Sequence, residues 1–343
     1  KLICEIVSEE DSLNLHGYMS NSGYEDVRKT IANSINKKYE LNIDEQSIVM
    51  TCGAAGGLNI IFKSILEEGD EVIVFAPFFG EYSNYIKNFN GKEVIASTEE
   101  NTFLPDVEDL KRNITERTKA VIINSPNNPT GVVYSSKVIE DICFVLKQKQ
   151  LEYNNDIYLI ADEPYRELAY DGVQVPYLTK YYANTIVGYS YSKSLSLPGE
   201  RIGYLVIPDE LEDSATVITA AAIANRVLGS VNAPSLMQKV IQKCVDAEVD
   251  VAAYDRNRLA LYNGLKECGF ECIKPQGAFY LFVKSPVADE KQFCEAGKKY
   301  NILMVPGSSF ACPGYVRLAY CVSYETIQNS LPEFEKLAAE YGL

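Results

Sequence analysis

Lys193 stands in a segment whose composition suits an amine that acts as a nucleophile. The apolar, strand-like run Thr185–Tyr189 leads into the segment 190–194 (SYSKS), and Arg201 follows eight positions after the lysine. A lysine at the end of a buried strand and among hydroxyl groups is badly placed for a solvated surface charge. It can instead carry a carbonyl cofactor as a Schiff base. Alone the signal is weak, because most lysines are surface residues.

Asp162 directly follows another apolar run, Ile157–Ala161, much as the lysine segment follows its strand. Burial of Asp162 at the tip of such a strand is costly unless a cation lies nearby, and a protonated pyridine nitrogen would be that cation. The turn that follows would bring the Tyr165 hydroxyl to the same place. A helix-capping role for Asp162 explains the sequence equally well.

Two loops add groups that could hold a ligand. Residues 124–131 (NSPNNPTG) follow a buried strand, and their prolines and glycine fix a rigid loop from which the asparagines project. Residues 52–58 (CGAAGGL) form a small-residue turn that opens a helix, where bare backbone amides can bind a phosphate. A plain turn and close strand-to-helix packing are the respective alternatives.

Composition excludes several classes of protein. The net charge of −15 leaves no basic field for nucleic acid or an anionic membrane. The nine cysteines include no C-x-x-C pair, which favours free thiols in a reducing cytoplasm over a metal site. Because His16 is the only histidine, catalysis cannot depend on a histidine triad or on a multi-histidine metal centre.

The elements that must position these groups alternate along the chain. Seven apolar, β-branched runs predict strands: Ser47–Cys52, Glu71–Ala76, Glu93–Ala96, Lys119–Asn124, Ile157–Asp162, Thr185–Ser190 and Ile202–Ile207. Helical patterns lie between several of them. This order predicts an α/β fold with a mainly parallel central sheet flanked by helices, and the polar segments described above fall at the carboxyl ends of the strands, where ligands bind in such sheets.

The pattern changes after Ile207. Long helices are predicted over Ala233–Glu267, with little interruption, and over Asp289–Tyr300, with shorter strands between them and a last helix at Tyr324–Tyr341. We therefore predict a large cofactor-binding domain at 15–228 and a smaller C-terminal α/β domain at 229–343. The segment 1–14 lacks a clear period and is assigned to the small domain or to an inter-subunit region.

The ordered motifs resemble those of one family. The segments SPNNPTG, DEPY and SYSK, with an arginine eight residues beyond the lysine, resemble the fold-type I pyridoxal-phosphate enzymes of the class I/II aminotransferase family. The resemblance extends over nearly the whole chain from about Gly17. Any one motif could arise by chance, but the ordered set is highly specific.

The resemblance implies roles for the residues that match. Lys193 resembles the lysine that carries pyridoxal 5′-phosphate as a Schiff base and shuttles protons, and Asp162 the carboxylate that keeps the ring nitrogen protonated. Asn128 and Tyr165 resemble the pair that hydrogen-bonds the phenolate oxygen. Arg317 resembles the arginine that, with Asn128, binds the substrate α-carboxylate, although an ordinary strand arginine is the alternative.

Further matches concern the ring face and the phosphate. Phe79 resembles the aromatic residue stacked on the ring, and Tyr18 a tyrosine that reaches the phosphate of the neighbouring subunit, although aromatic residues usually fill cores. Ala54, Ala55, Ser190 and Arg201 resemble the residues that form the rest of the phosphate site in that family. Family members usually carry several tens of residues before the Tyr18 region, including a glycine-containing stretch that lines the substrate pocket; here the chain begins almost at that tyrosine.

We therefore predict a cytoplasmic, homodimeric aminotransferase that moves an amino group from an L-amino acid to a 2-oxo acid by a ping-pong mechanism. Aspartate and 2-oxoglutarate are the first choice of substrates, with alanine or aromatic amino acids next. Arg226 is a candidate second cation for a dicarboxylate, but a helix-surface role is favoured. The alternatives are a carbon–sulfur β-lyase of the cystathionine type and, more distantly, a non-catalytic regulatory domain that binds the cofactor.

Overall fold

The computed structural model describes residues 1–343. The helices are α1 (Leu2–Glu9), α2 (Ser12–His16), α3 (Glu25–Tyr39), α4 (Gly53–Ile65), α5 (Glu81–Lys87), α6 (Val107–Asn113), α7 (Ser136–Tyr153), α8 (Tyr191–Ser194), α9 (Ser214–Val227), α10 (Ser235–Cys244), α11 (Val251–Glu267), α12 (Glu290–Lys298) and α13 (Tyr324–Glu340). The strands are β1 (Ile48–Thr51), β2 (Glu71–Phe75), β3 (Lys92–Ala96), β4 (Thr118–Asn124), β5 (Tyr158–Asp162), β6 (Thr185–Ser190), β7 (Gly203–Val206), β8 (Tyr280–Lys284), β9 (Val305–Pro306) and β10 (Tyr315–Ala319).

Seven strands form one twisted central sheet in the order β1-β7-β6-β5-β4-β2-β3. The neighbours from β6 through β5, β4 and β2 to β3 are parallel, and only β7 runs antiparallel to both of its neighbours. Nearly every residue of these strands is buried except in the edge strand β3, as expected for a parallel sheet with helices on both faces. The predicted fold class is confirmed.

The sheet register sets the position of the polar groups. Asn124 is the Cα partner of Asp162, and Asp162 is the partner of Gly188, two residues before Ser190. The carboxyl ends of β4, β5 and β6 therefore meet at one edge of the sheet. The loop after β4, the turn after β5 and the short helix after β6 all begin at this edge.

A second, antiparallel sheet in the order β8-β10-β9 carries the remaining strands. Its buried side chains share a core with those of α11, α12 and α13, including Leu261, Phe293, Val316 and Phe334. The division at 228/229 stays a prediction, and α10, just beyond it, buries Met237 and Val240 in the core of the large sheet.

Two local features differ from what the sequence pattern indicated, whereas the assignment of residues 1–14 to the small domain or an inter-subunit region stays a prediction. The N-terminal segment forms α1 and α2, which bury Ile6 and Leu15 against the same core as α10. The helix expected over Ala233–Glu267 is interrupted between α10 and α11, because the Asp250 side chain accepts a hydrogen bond from the Ala253 backbone and begins a new helix there. None of the helices combines the length and apolarity needed to cross a membrane.

Candidate active site

A cavity of about 340 Å³ opens at the carboxyl edge of the large sheet. Its lining includes the residues Ala54, Ala55, Phe79, Asn128, Asp162, Tyr165, Ser190, Lys193, Arg201 and Arg317. Three cations and a single carboxylate are among the lining residues, so the cavity is locally positive in a chain of net charge −15. Such a site favours an anionic ligand.

Lys193 lies in α8, the short helix that follows β6, and its side chain is half-buried. Burial lowers the pKa of its amine, and the positive charges of Arg201 and Arg317 lower it further. Its Nζ lies 5.3 Å from the centroid of the Phe279 ring. A larger fraction of this amine is therefore unprotonated at neutral pH than for an ordinary lysine, as a nucleophile or a base requires.

Asp162 is the last residue of β5 and is buried. Its Oδ2 accepts a hydrogen bond of 2.5 Å from the Tyr82 hydroxyl, whereas its Oδ1 has no hydrogen-bond partner. Desolvation raises the pKa of the carboxyl to about 6, against the lowering effect of the Tyr82 hydrogen bond. A buried carboxylate oxygen without a partner, in the wall of a cavity, is the arrangement that a ligand cation would complete.

Asn128 and Arg317 contact each other in the wall of the cavity, although they are far apart in sequence. The Nη1 of Arg317 donates a hydrogen bond of 3.0 Å to the Oδ1 of Asn128, and the Asn128 backbone N–H donates to the Asn124 side chain. The guanidinium lies over the rings of Tyr280 and Phe310, at 4.4 and 4.7 Å from their centroids. Its Nε has no partner, so the group retains donors for a carboxylate.

The turn at the start of α4 approaches Arg201 closely. Gly53 has a φ of +73°, and a Cβ at this position would lie 2.8 Å from an Arg201 Nη atom. Glycine is therefore required both for the backbone conformation and for the space that the guanidinium fills. Ser190, at the end of β6, faces the same region with its hydroxyl 2.8 Å from that of Ser192.

These observations fit pyridoxal phosphate. The unpartnered Asp162 oxygen suits a pyridinium nitrogen, the start of α4 with Ser190 and Arg201 suits a phosphate, and the Asn128 amide and Tyr165 hydroxyl suit a ring oxygen. Phe79 also lines the cavity. The donors and charges required by such a group are present at one edge of the sheet.

Tyr18 and Arg226 do not line this cavity. The Tyr18 side chain is 93% exposed, and Arg226 is exposed near the end of α9. The role of Tyr18 at the site of a neighbouring subunit stays a prediction. The exposure of Arg226 within this chain agrees with the surface role that the sequence favours.

Two tyrosines that contact the site were not identified from the sequence. Tyr82 donates to Asp162, and the hydroxyl of Tyr280 lies 3.1 Å from that of Tyr165. Tyr82 lies in α5, the helix that follows β2, three residues after Phe79. This spacing could have placed Tyr82 beside Phe79, the expected ring-stacking residue. For Tyr280, a tyrosine at the start of a strand, we find no comparable signal.

Tyr82→Phe should weaken catalysis in a pH-dependent manner. Loss of the hydroxyl leaves both Asp162 oxygens without a donor and raises the pKa of the carboxyl, because the Tyr82 hydrogen bond lowers it. We expect kcat/KM to fall about tenfold at pH 7, with the acidic limb of the pH profile moved upward. Tyr177→Phe, which removes a buried hydroxyl that has no hydrogen-bond partner and does not line the cavity, is the control. An unchanged profile in Tyr82→Phe would refute this role.

Comparisons with known proteins agree with the geometry. Residues 4–332 match the family model described as "Aminotransferase class I and II". The chain is 32% identical to the aspartate/prephenate aminotransferase of Thermus thermophilus, over 93% of this chain and 83% of that protein. It is 31% identical to the aspartate aminotransferase of Thermotoga maritima, over 93% and 82% of the two chains.

Solved structures show the same architecture. A crystal structure of an amino transferase from Eubacterium rectale superposes with a TM-score of 0.97 at 45% identity, covering 100% of this chain and 86% of that one. The aspartate aminotransferase of Thermus thermophilus with maleate gives a TM-score of 0.88 at 28% identity, covering 98% and 86%.

Proposed function

The chain belongs to the class I and II aminotransferase family and is a transaminase, and we propose that it uses pyridoxal 5′-phosphate to transfer the amino group of aspartate to a 2-oxo acid. One observation carries the proposal. The structure brings Lys193, Asp162, Asn128, Arg201 and Arg317 from separate segments into one cavity of about 340 Å³. Each has a hydrogen-bonding capacity or a charge that this chemistry requires.

When bound, pyridoxal phosphate supplies an aldehyde that accepts the amino group and a protonated ring that stabilises negative charge. The chain supplies the contacts that hold it. Arg201 and the start of α4 would bind the phosphate, and Asp162 would keep a proton on the ring nitrogen. Asn128 and Tyr165 would donate hydrogen bonds to the ring oxygen, and Phe79 would cover one face of the ring.

Lys193 and Arg317 act on the substrate. Arg317 would bind the α-carboxylate through its free donors, with its guanidinium fixed by Asn128 and by two aromatic rings. Lys193 is the only amine in the cavity lining, and its lowered pKa suits it to take the proton from the substrate α-carbon. The guanidinium of Arg317 is held in place before the substrate arrives, which lowers the entropic cost of the reaction.

Two observations bear on aspartate as the donor. Several relatives are named aspartate aminotransferases, including those of Thermotoga maritima and Pyrococcus horikoshii. The three cations in the cavity already have roles toward the cofactor and the α-carboxylate, so the second carboxylate of aspartate requires a positive charge from elsewhere. We propose that a second subunit supplies it.

A homodimer is therefore part of the proposal. Large apolar side chains are exposed in the N-terminal segment, at Leu13 and Tyr18, and at the end of α9, at Ile223 and Val227. The two segments are adjacent, because the side chain of Asn232, just beyond α9, donates to the backbone carbonyl of Ser20. Exposed apolar side chains on adjacent segments favour association with another copy. A cytoplasmic location stays a prediction.

A screen of amino donors tests the proposed reaction. The cofactor-loaded protein is mixed with aspartate, alanine, phenylalanine or cystathionine, each with and without 2-oxoglutarate, and glutamate, pyruvate and ammonia are measured. We expect glutamate to form fastest from aspartate, and only when 2-oxoglutarate is present. Pyruvate and ammonia from cystathionine without an acceptor would instead indicate a carbon–sulfur β-lyase.

Arg317→Lys should impair use of the amino donor. Lysine retains the charge but cannot present two parallel donors to a carboxylate, nor stack in the same way between Tyr280 and Phe310. We expect kcat/KM for aspartate to fall roughly ten- to hundredfold, mainly through a higher KM, with little change in bound cofactor. Arg112→Lys, at an exposed arginine of α6, controls for the substitution itself. An unchanged KM would exclude Arg317 as the carboxylate ligand.

A further inference from the structure

Tyr280 joins two parts of the site that the reaction uses for different purposes. It is the first residue of β8 and lines the cavity, although its side chain is largely buried. Its hydroxyl contacts Tyr165 and its ring contacts Arg317. Tyr165 is the proposed donor to the ring oxygen of the cofactor, and Arg317 is the proposed ligand of the substrate carboxylate.

The direction of the hydrogen bond between Tyr280 and Tyr165 is determined if Tyr165 donates to a ligand. The two hydroxyl oxygens are 3.1 Å apart and buried, and either could be the donor. A tyrosine has one hydroxyl hydrogen, so Tyr165 can donate into the cavity only if it accepts from Tyr280. Donation by Tyr280 also polarises the Tyr165 hydroxyl and makes it a stronger donor.

The ring contact restricts the guanidinium of Arg317. Strand register pairs Arg317 with Phe282, which places Tyr280, two residues earlier on β8, diagonally beside the arginine. The guanidinium carbon lies 4.4 Å from the Tyr280 ring centroid and 4.7 Å from that of Phe310. Two aromatic rings therefore hold the cation, and Asn128 holds one of its ends.

We propose that Tyr280 is a positioning residue of the transamination reaction: its hydroxyl holds Tyr165 as a donor toward the cofactor, and its ring holds Arg317 for the substrate carboxylate. This inference rests on the proposed function, because both partners take their roles from it. The two roles belong to different atoms of one side chain. Substitutions can therefore separate them, and a tyrosine that only fills the core would show neither effect.

Absorbance of the bound cofactor reports on the hydroxyl. A donor to the anionic ring oxygen favours the deprotonated form of the cofactor, so loss of a donor raises the pH of its spectral transition. In Tyr280→Phe we expect this transition to move upward by roughly half a pH unit, and further in Tyr165→Phe. In a Tyr165→Phe background, Tyr280→Phe should add no further change, because the hydroxyl then has no partner to act through.

Binding of maleate, an unreactive dicarboxylate, reports on the ring. Tyr280→Phe keeps the ring, and we expect its Kd for maleate to stay within about twofold of the original value. Tyr280→Leu removes the ring and should weaken binding by roughly five- to tenfold. Phe310→Leu, which removes the opposite ring but no hydroxyl, should weaken maleate binding without moving the spectral transition. Circular dichroism confirms that each variant is folded.

The outcomes are distinct. A spectral transition in Tyr280→Phe at the original pH overturns the hydroxyl role, and unchanged maleate binding in Tyr280→Leu overturns the ring role. If the unaltered protein binds no pyridoxal phosphate or shows no pH-dependent absorbance, the proposed function itself fails, and this result is recognisable before any variant is made.

Discussion

Lys193→Ala is expected to abolish transamination while leaving the cofactor site largely intact. The substitution removes the only amine in the cavity lining, which is both the proposed covalent partner of the cofactor and the proposed base that moves the substrate proton. We expect kcat to fall by at least about four orders of magnitude, since a nucleophile and a general base are lost together. In the proposed site Arg201 and the start of α4 would still hold the phosphate, so pyridoxal phosphate should remain bound without a covalent link.

Two further variants serve as comparisons for Lys193→Ala. Lys193→Arg keeps a positive charge but cannot form a carbon–nitrogen double bond with an aldehyde, and it should be as inactive as the alanine variant. Lys180→Ala, at an exposed lysine remote from the cavity lining, should behave as the original protein. Steady-state turnover above one-tenth of the original rate in Lys193→Ala would refute the assigned role.

Asp162→Asn is expected to have the second largest effect. An amide cannot hold a proton on the ring nitrogen by charge, so negative charge that develops on the substrate is no longer stabilised. We expect kcat/KM for aspartate to fall about a thousandfold. Asp141→Asn, on α7 with a side chain that is 43% exposed, should leave kcat/KM unchanged. Activity within tenfold of the original would show that Asp162 does not serve this purpose.

The same substitution should stabilise the cofactor-free chain at high pH. Burial raises the pKa of Asp162 from 3.8 to about 6, so the folded chain binds this proton more tightly than the unfolded chain does. The original protein should therefore lose stability relative to Asp162→Asn as the pH rises from about 4 to about 6. We expect the difference in unfolding free energy to reach about 1–3 kcal/mol at pH 8 and to be smaller at pH 5, as measured by urea denaturation.

Much of the site could be predicted because its residues stand in segments with special composition. Asn128 lies in a loop with two prolines, and Asp162 and Lys193 follow uninterrupted apolar strands. Parallel strands end at a common edge, so polar residues placed just after them must meet. The structure places all three in one cavity, together with Arg201 and Arg317.

The contacts of tyrosine side chains could not be predicted in this way. The chain has 24 tyrosines, and a tyrosine that fills a core has the same pattern of neighbours as one whose hydroxyl contacts a catalytic group. Tyr82 reaches Asp162 from another segment, and Tyr280 reaches Tyr165 from the second sheet. Only the packing of these elements shows which hydroxyl meets which partner.

The N-terminal helices were missed for a different reason. α1 and α2 have eight and five residues, which is too short for a helical period to be recognised with certainty or for an isolated helix to be stable. They are held by the burial of Ile6 and Leu15 against the core that α10 shares. The break between α10 and α11 contains neither proline nor glycine. The helix cap at Asp250 is therefore the only local feature of the sequence that indicates it.

The most direct test of the central claim follows the amino group itself. Cofactor-loaded protein is mixed with ¹⁵N-labelled aspartate in the absence of an acceptor, and the 2-oxo acid product is quantified before 2-oxoglutarate is added. The proposed transamination should give one equivalent of oxaloacetate per active site in the first step, and ¹⁵N-labelled glutamate only after the acceptor is added. Release of the label as ammonia, or no 2-oxo acid in the first step, would contradict it.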